Sequence, residues 1–158
     1  MTGYSIEVTE NCAKANGVAL PISIKHSMMI CNLIRGKQVS RAKVILEDTI
    51  SMKKAVPFTK FTNGLGHKPG MAAGRYPVKA CTQILSVLKS AEANAQYKGL
   101  STADLVIKHI SAKQGPGTMR HGRNFRSAKR THIEVVLEEV KAARAKKKEE
   151  AKPRGKKE

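Results

Sequence analysis

The stretch 117–131, GTMRHGRNFRSAKRT, constrains the fold more than any other. Five of its fifteen side chains are Arg or Lys (Arg120, Arg123, Arg126, Lys129, Arg130), none is acidic, and only Met119 and Phe125 offer bulk to a core. The segments on either side read as strands. Residues 105–112 are one. In the other, Ile133, Val135 and Leu137 alternate with His132, Glu134, Val136 and Glu138, which predicts one buried face. If those strands pair, the chain between them must run out and back, about 10 residues per leg, or roughly 30 Å at about 3.3 Å per residue. A free two-stranded ribbon is marginal in water. Gly115, Pro116, Gly117 and Gly122 speak against a basic helix instead. Basic residues at 120, 123, 126 and 129 are three apart, a spacing that alternates faces of a pleat and predicts charge on both sides of the arm. The alternative is a solvated loop. The absence of any acid from 105 to 133 weighs against it.

The same imbalance pervades the chain, whose net charge is +18 over 158 residues. The tail 141–158 holds nine Lys/Arg and three Glu, so most of the excess lies in the body. No acid occurs between Glu10 and Glu47, between Asp48 and Glu92, or between Asp104 and Glu134. A polyanion is the natural counterpart of such a surface. Hydrophobic residues make up 41%, enough for one domain, while aromatics at 4% predict a small aliphatic core.

Residues 4–8 (YSIEV) alternate weakly and read as a short edge strand, and 9–21 as a loop. Ser23 is placed to cap a helix over about 24–35, with Ile24, Met28 and Cys31 on one face, ended by Gly36. Ser40 is placed to cap a second helix over about 41–52, with Val44, Ile45 and Thr49 near one side. The pair resembles a helix–turn–helix, but the second helix ends acidic at Glu47 and Asp48, where a DNA reader needs polar, base-reading side chains. Residues 53–76 form an irregular basic loop with four Gly and two Pro, and loops of that length in compact domains are usually functional. Pro77 opens a long helix in which Val78, Cys81, Leu85, Leu88 and Ala95 recur at helical spacing, and Gly99 closes it. The expected core is Val78, Leu85, Leu88, Ile107, Ile133, Val135 and Leu137.

Catalytic signatures are missing. GLGHKPG (64–70) lacks the preceding strand and the G-K-[ST] ending of a nucleotide-binding P-loop, and suits close packing against a nucleic-acid chain. The five His show no metal-ligand spacing, and no cofactor is indicated. His109 and His132 are expected to face each other as a structural pair. Three unspaced cysteines (Cys12, Cys31, Cys81) read as reduced thiols of a cytoplasmic protein. No apolar run approaches the roughly 20 residues of a membrane span.

Several motifs occur together in order: LIRGKQVSRAKVILEDTI (33–50), KKAVPF (53–58), GRYPVKA (74–80), AEANAQYKGL (91–100), LVIKHI (105–110), HGR (121–123) and KRTHIEVVLEE (129–139). In this the chain resembles large-subunit ribosomal protein family twenty-two, archaeal/eukaryotic branch, over about residues 4–140. The resemblance implies an α+β fold: three helices on a small three-stranded antiparallel sheet, a long protruding β-hairpin and a basic C-terminal tail. Residues 1–140 would be one globular domain, with the arm at about 110–133. Residues 141–158 would be a tail, helical or disordered.

It further implies a structural, non-enzymatic component of the large subunit in the cytoplasmic ribosome. The globular part would sit on ribosomal RNA near the nascent-chain tunnel exit. The hairpin tip (Met119, Arg120, His121, Gly122, Arg123) would line the tunnel beside the large-subunit protein four loop. Ribosomal RNA, neighbouring large-subunit proteins and the nascent polypeptide are the implied partners. The expected RNA contacts are Lys14, Lys25, Lys37, Arg41, Lys54, Lys60, His67, Lys68, Arg75, Lys79 and Lys113 on the body. On the arm they are Arg120, Arg123, Arg126, Lys129 and Arg130. A free-standing nucleic-acid packaging protein is the competing reading. It would bind naked duplex DNA as well.

Overall fold

The computed structural model describes residues 4–6, 11–121 and 125–140. Gly122, Arg123 and the tail 141–158 lie outside them, and so do expectations that fall there.

A three-stranded antiparallel sheet forms the centre, ordered β1 (Cys12–Leu20), β8 (Thr131–Glu139), β5 (Leu105–Gln114). Ala13, Ala15 and Gly17 of β1 stand opposite Leu137, Val135 and Ile133. On the other side of β8, Leu137, Val135 and Ile133 stand opposite Ile107, Ile110 and Ala112, with a bulge between Ile107 and His109. Three helices cover that face: α1 (Ile24–Ile34) over β5, α3 (Val78–Tyr97) over β1 and β8, and α2 (Val39–Ile50) against α3. Between α2 and α3, β2 (Val56–Pro57), β4 (Met71–Arg75) and β3 (His67–Lys68) make a second small sheet. A 3-10 turn, Thr102–Asp104, leads into β5.

The expected core holds except that Val78 is only half-buried; Leu85, Leu88, Ile107, Ile133, Val135 and Leu137 are buried. Other expectations are corrected. Residues 4–6 of the expected edge strand are irregular, and 7–8 lie outside the described residues. Cys12–Leu20, within the segment expected to be a loop, is a strand. Its small residues and single glycine disguise it as a loop, yet they are what α3 requires. A Cβ at Gly17 would stand 2.7 Å from Val87 Cγ2.

Helix α2 starts two residues early, at Val39. Its buried side is Val39, Ala42, Leu46 and Thr49, leaving Val44 56% exposed. Helix α1 buries Ser27, Met29, Ile30, Cys31 and Ile34. Ser23 does stand at its N-cap, though without a side-chain capping bond. The turn between α1 and α2 is stitched to the edge of β5: Gly36 N–H donates to Ile107 O at 3.0 Å, and Ile107 N–H to Lys37 O at 3.0 Å. That fixes the helix pair as packing elements rather than a detached reading head. Within the 53–76 segment, three short strands replace a uniform loop.

His109 and His132 do not face each other. In the register of β5 on β8, His109 stands opposite Val136 and His132 opposite Lys113, four positions apart along the pair. Each histidine has its own structural partner: His109 Nε2 lies 2.7 Å from Glu134 Oε1, and His132 Nδ1 accepts the Ala19 N–H at 3.2 Å. Nor does β8 have a single buried face, because Glu134 and Val136 on its outer side are buried too. The N-terminal segment reaches this side, where Ser5 N–H donates to Glu134 at 3.3 Å and Lys14 Nζ stands 5.1 Å from the Tyr4 ring.

Candidate nucleic-acid interface

Strands β5 and β8 run past the sheet into the expected hairpin. Gly115 N–H donates to Arg130 O at 2.9 Å and Ala128 N–H to Thr118 O at 2.8 Å. Beyond them β6 (Met119–Arg120) pairs with β7 (Arg126–Ser127). The arm has little core of its own. Met119 is 60% and Phe125 74% exposed, whereas only Gly115 and Ala128 are buried near its base. Gly117 lets the two legs close, since a Cβ there would collide with Ser127 Oγ.

The arm leans over the body. A cleft of about 680 Å³ separates it from the starts of α1 and α3, bounded by Ile22, Ser23 and His26, by Tyr76, Pro77 and Lys79, and by Arg120, Arg126 and Lys129. A second cleft, about 330 Å³, lies at the base of the arm and is lined by Lys25, Lys129 and Arg130 among others. A third, about 390 Å³, runs from Lys25 and His26 to Phe58, Phe61, Asn63 and Arg75. All three border the first turn of α1, and among the described residues no Asp or Glu lines any of them. Neither α1 nor α3 has an acid in its first turn, so the positive ends of both helix dipoles add to the field. His26 reports that field. Burial lowers its pKa below the ordinary value, and the charges of Arg75 and Lys129 push it further down.

Of the expected contacts, Lys25, Arg75, Lys79, Arg120, Arg126, Lys129 and Arg130 come together around these clefts. Lys68 adjoins them through Tyr76, its Nζ 5.5 Å from the ring centroid. The others are dispersed. Lys14 lies on the opposite side of the sheet, Lys37 at the β5 edge, Arg41 on the exposed side of α2, and Lys54, Lys60 and His67 on exposed loop or edge positions. Lys113 is tied to the buried Glu134 at 2.9 Å. Of the arm cations expected to alternate faces, Arg120, Arg126 and Lys129 all line one cleft, and residues 128–130 stand outside the paired strands.

The carboxylates are placed elsewhere. Glu92 pairs with Lys43 between α3 and α2, Glu138 with Lys108 at 2.7 Å, and Glu134 with His109 and Lys113. Sequence reasoning missed His26, Phe58, Phe61 and Tyr76. The signal was there in FTKF (58–61), aromatic rings interleaved with lysine in a basic loop. Among the described residues, no three His, Cys, Asp or Glu side chains are grouped to hold a metal ion, and no helix is long and apolar enough to cross a membrane.

Comparison with known families settles the class of this basic-armed domain. The sequence model of the family described as ribosomal protein L22p/L17e matches residues 15–138. The chain belongs to that family. Similar proteins include the large ribosomal subunit protein uL22 of Thermoplasma volcanium, 38% identical over 147 residues, covering 88% of this chain and 98% of the relative. That of Methanocaldococcus jannaschii is 44% identical over 146 residues, covering 86% and 94%. That of Archaeoglobus fulgidus is 45% identical over 115 residues, covering 71% and 74%. These organisms are archaea, in keeping with the branch that the motifs resemble. Family membership makes the chain a structural component of the large subunit of the cytoplasmic ribosome, and not an enzyme.

Proposed function

We propose that the chain binds large-subunit ribosomal RNA through the three-cleft face, with the arm inserted into RNA rather than extended in solvent. One observation carries this reading. Seven cations converge on contiguous clefts that no carboxylate lines among the described residues, and two of them, Arg120 and Arg126, are direct partners across a two-stranded ribbon. Such a surface repels itself unless polyanion fills it. Phosphates entering the clefts would meet side-chain cations and the starts of two helices together, and counterion release would drive association.

Residues 1–140 act as one unit in this scheme, the helical layer holding the clefts and the central sheet extending directly into the arm. The tip (Met119, Arg120, His121, Gly122, Arg123) reaches the nascent-chain tunnel wall near the large-subunit protein four loop and borders the nascent polypeptide. Gly122 and Arg123 lie outside the described residues. The dispersed cations Lys14, Lys37, Arg41, Lys54, Lys60 and His67 make separate, peripheral RNA contacts. Lys113 acts first as the partner of Glu134.

Sedimentation of the tagged chain tests the reading at its coarse level, with co-migration in the large-subunit peak expected. Zero-length crosslinking within those subunits tests it more finely. RNA adducts are expected on the peptides carrying Lys25, Lys79 and Arg126. Adducts confined to the opposite side of the sheet, near Lys14, would overturn the proposed orientation.

A further inference from the structure

The cleft between the first turn of α1 and the 58–63 loop has features that gripping phosphates does not require. Phe61 is 45% exposed and sits at φ +59°, a left-handed conformation that a bulky side chain rarely adopts. The loop around it is nonetheless fastened. Phe58 N–H donates to Ala73 O at 2.9 Å, Leu65 N–H to Thr62 O at 3.1 Å, and Thr59 Oγ1 approaches Met29 Sδ at 3.8 Å. The phenyl ring is therefore presented at the cleft by a held backbone. Lys25 Nζ stands 5.2 Å from its centroid. On the facing wall, the His26 ring meets the buried Phe58 edge-on, centroids 5.6 Å apart and planes at 89°, which fixes the imidazole plane. Asn63 and Arg75 complete the lining.

The cleft's volume, about 390 Å³, falls at the lower end of the roughly 300–1,000 Å³ of small-ligand sites. It can admit one nucleotide but not a helical strand. We propose that this cleft receives a single extruded RNA nucleobase. The base stacks on Phe61, Lys25 and Arg75 hold its phosphate, and Asn63 with His26 offers donors and acceptors to its edge. This rests on the reading that the surrounding face binds ribosomal RNA. Stacking on an exposed ring beside cations is how unpaired bases are held, because every base has a π face. His26 suits the task because burial and its cationic neighbours favour the neutral imidazole, which has one donor and one acceptor nitrogen.

The test is a salt titration of full-length chain binding to deproteinised large-subunit ribosomal RNA. F61A and F61L are each expected to weaken binding about 5- to 150-fold with the log–log salt slope unchanged, because no phosphate contact is lost. F61W is expected to retain affinity. K25Q is expected instead to reduce the slope, by about 0.7–0.9 for one contact. Wild-type affinity in F61L, which keeps the bulk and removes the π face, would overturn the stacking site. So would a reduced slope in F61A, which would mean that Phe61 serves only to position Lys25. Adenosine monophosphate titrated against the full chain distinguishes a free nucleotide from one within RNA. No saturation below millimolar concentration is expected, and micromolar saturation would overturn the RNA assignment. Failure of the wild-type chain to bind the RNA at all would instead remove the broader reading.

Discussion

Arg120 and Arg126 stand directly opposite each other across the arm, Cα partner to Cα partner on β6 and β7. Both are exposed, and both line the cleft that Lys129 and Lys79 also border. Like charges in that register weaken an isolated antiparallel pair, and among its described residues the arm has no buried aromatic or aliphatic pair nearby to offset the repulsion. In the free chain the arm works against its own charge. On the proposed reading, RNA would turn the same charge into the source of attachment.

Replacing Arg126 by Thr should therefore move the two states in opposite directions. Amide exchange in the free chain should slow around Met119 and Ser127, because repulsion is removed and a β-favouring residue introduced. Affinity for large-subunit RNA should fall, with the salt slope reduced by about 0.7–0.9. R120A with R126A together should roughly double that reduction. An unchanged slope would place both side chains in water.

Glu134 supplies a pH dependence. Its burial favours the neutral acid, but hydrogen bonds from Ser5, Lys113 and His109 outweigh that and hold its pKa at about 2, below the ordinary 4.5. With the carboxylate held ionised, His109 Nε2–H is the donor in that contact. A depressed carboxyl pKa stabilises the fold above the unfolded-state value, and the gain is lost as pH falls through the folded one. Stability of the wild-type chain should thus drop as pH is lowered from about 4.5 toward 2. E134Q should flatten this part of the urea-midpoint profile. At pH 7, E134A should cost about 1–3 kcal/mol through the buried partners it strands.

Gly17 lies against α3: a Cβ there would stand 2.7 Å from Val87 Cγ2 and 2.8 Å from Leu20 Cδ1. Val87 is buried and β-branched, so it has little room to turn away. G17A should destabilise by about 1–3 kcal/mol through overpacking. The denaturation midpoint should shift at constant m-value, and G17A/V87A should recover part of the loss.

The three cysteines are buried. Burial pushes the Cys31 and Cys81 thiols up to about 12, so the thiolate that reacts with alkylating agents is scarce near neutral pH. Iodoacetamide at pH 8 should modify Cys31 and Cys81 only at the rate of unfolding, with full labelling in guanidinium. Rapid labelling of either in the native chain would contradict the packing.

Periodicity alone was enough for what repeats locally. The apolar spacing of α3, its opening at Pro77 and its closing Gly99 at φ +75°, the alternation of β8 and the unburiable run between β5 and β8 were all legible, because each expresses one residue's relation to its near neighbours. Strand β1 was not. CAKANGVAL has a single β-branched residue, Val18, and its alternation is carried only by small alanines, whose size makes sense once α3 is seen lying against Gly17. The same division runs through the candidate interface. Composition already required a polyanion, and the acid-free intervals already named most of the cations. Which of them act together was decided by tertiary contacts. The register of β5 on β8 set the two histidines four positions apart, the path of the arm put Lys129 on the cleft that Arg120 and Arg126 line, and a buried Glu134 claimed Lys113. Charge sums along a chain without regard to geometry, whereas an electrostatic cleft exists only where separate segments bring like charges within a few ångströms and send the carboxylates elsewhere.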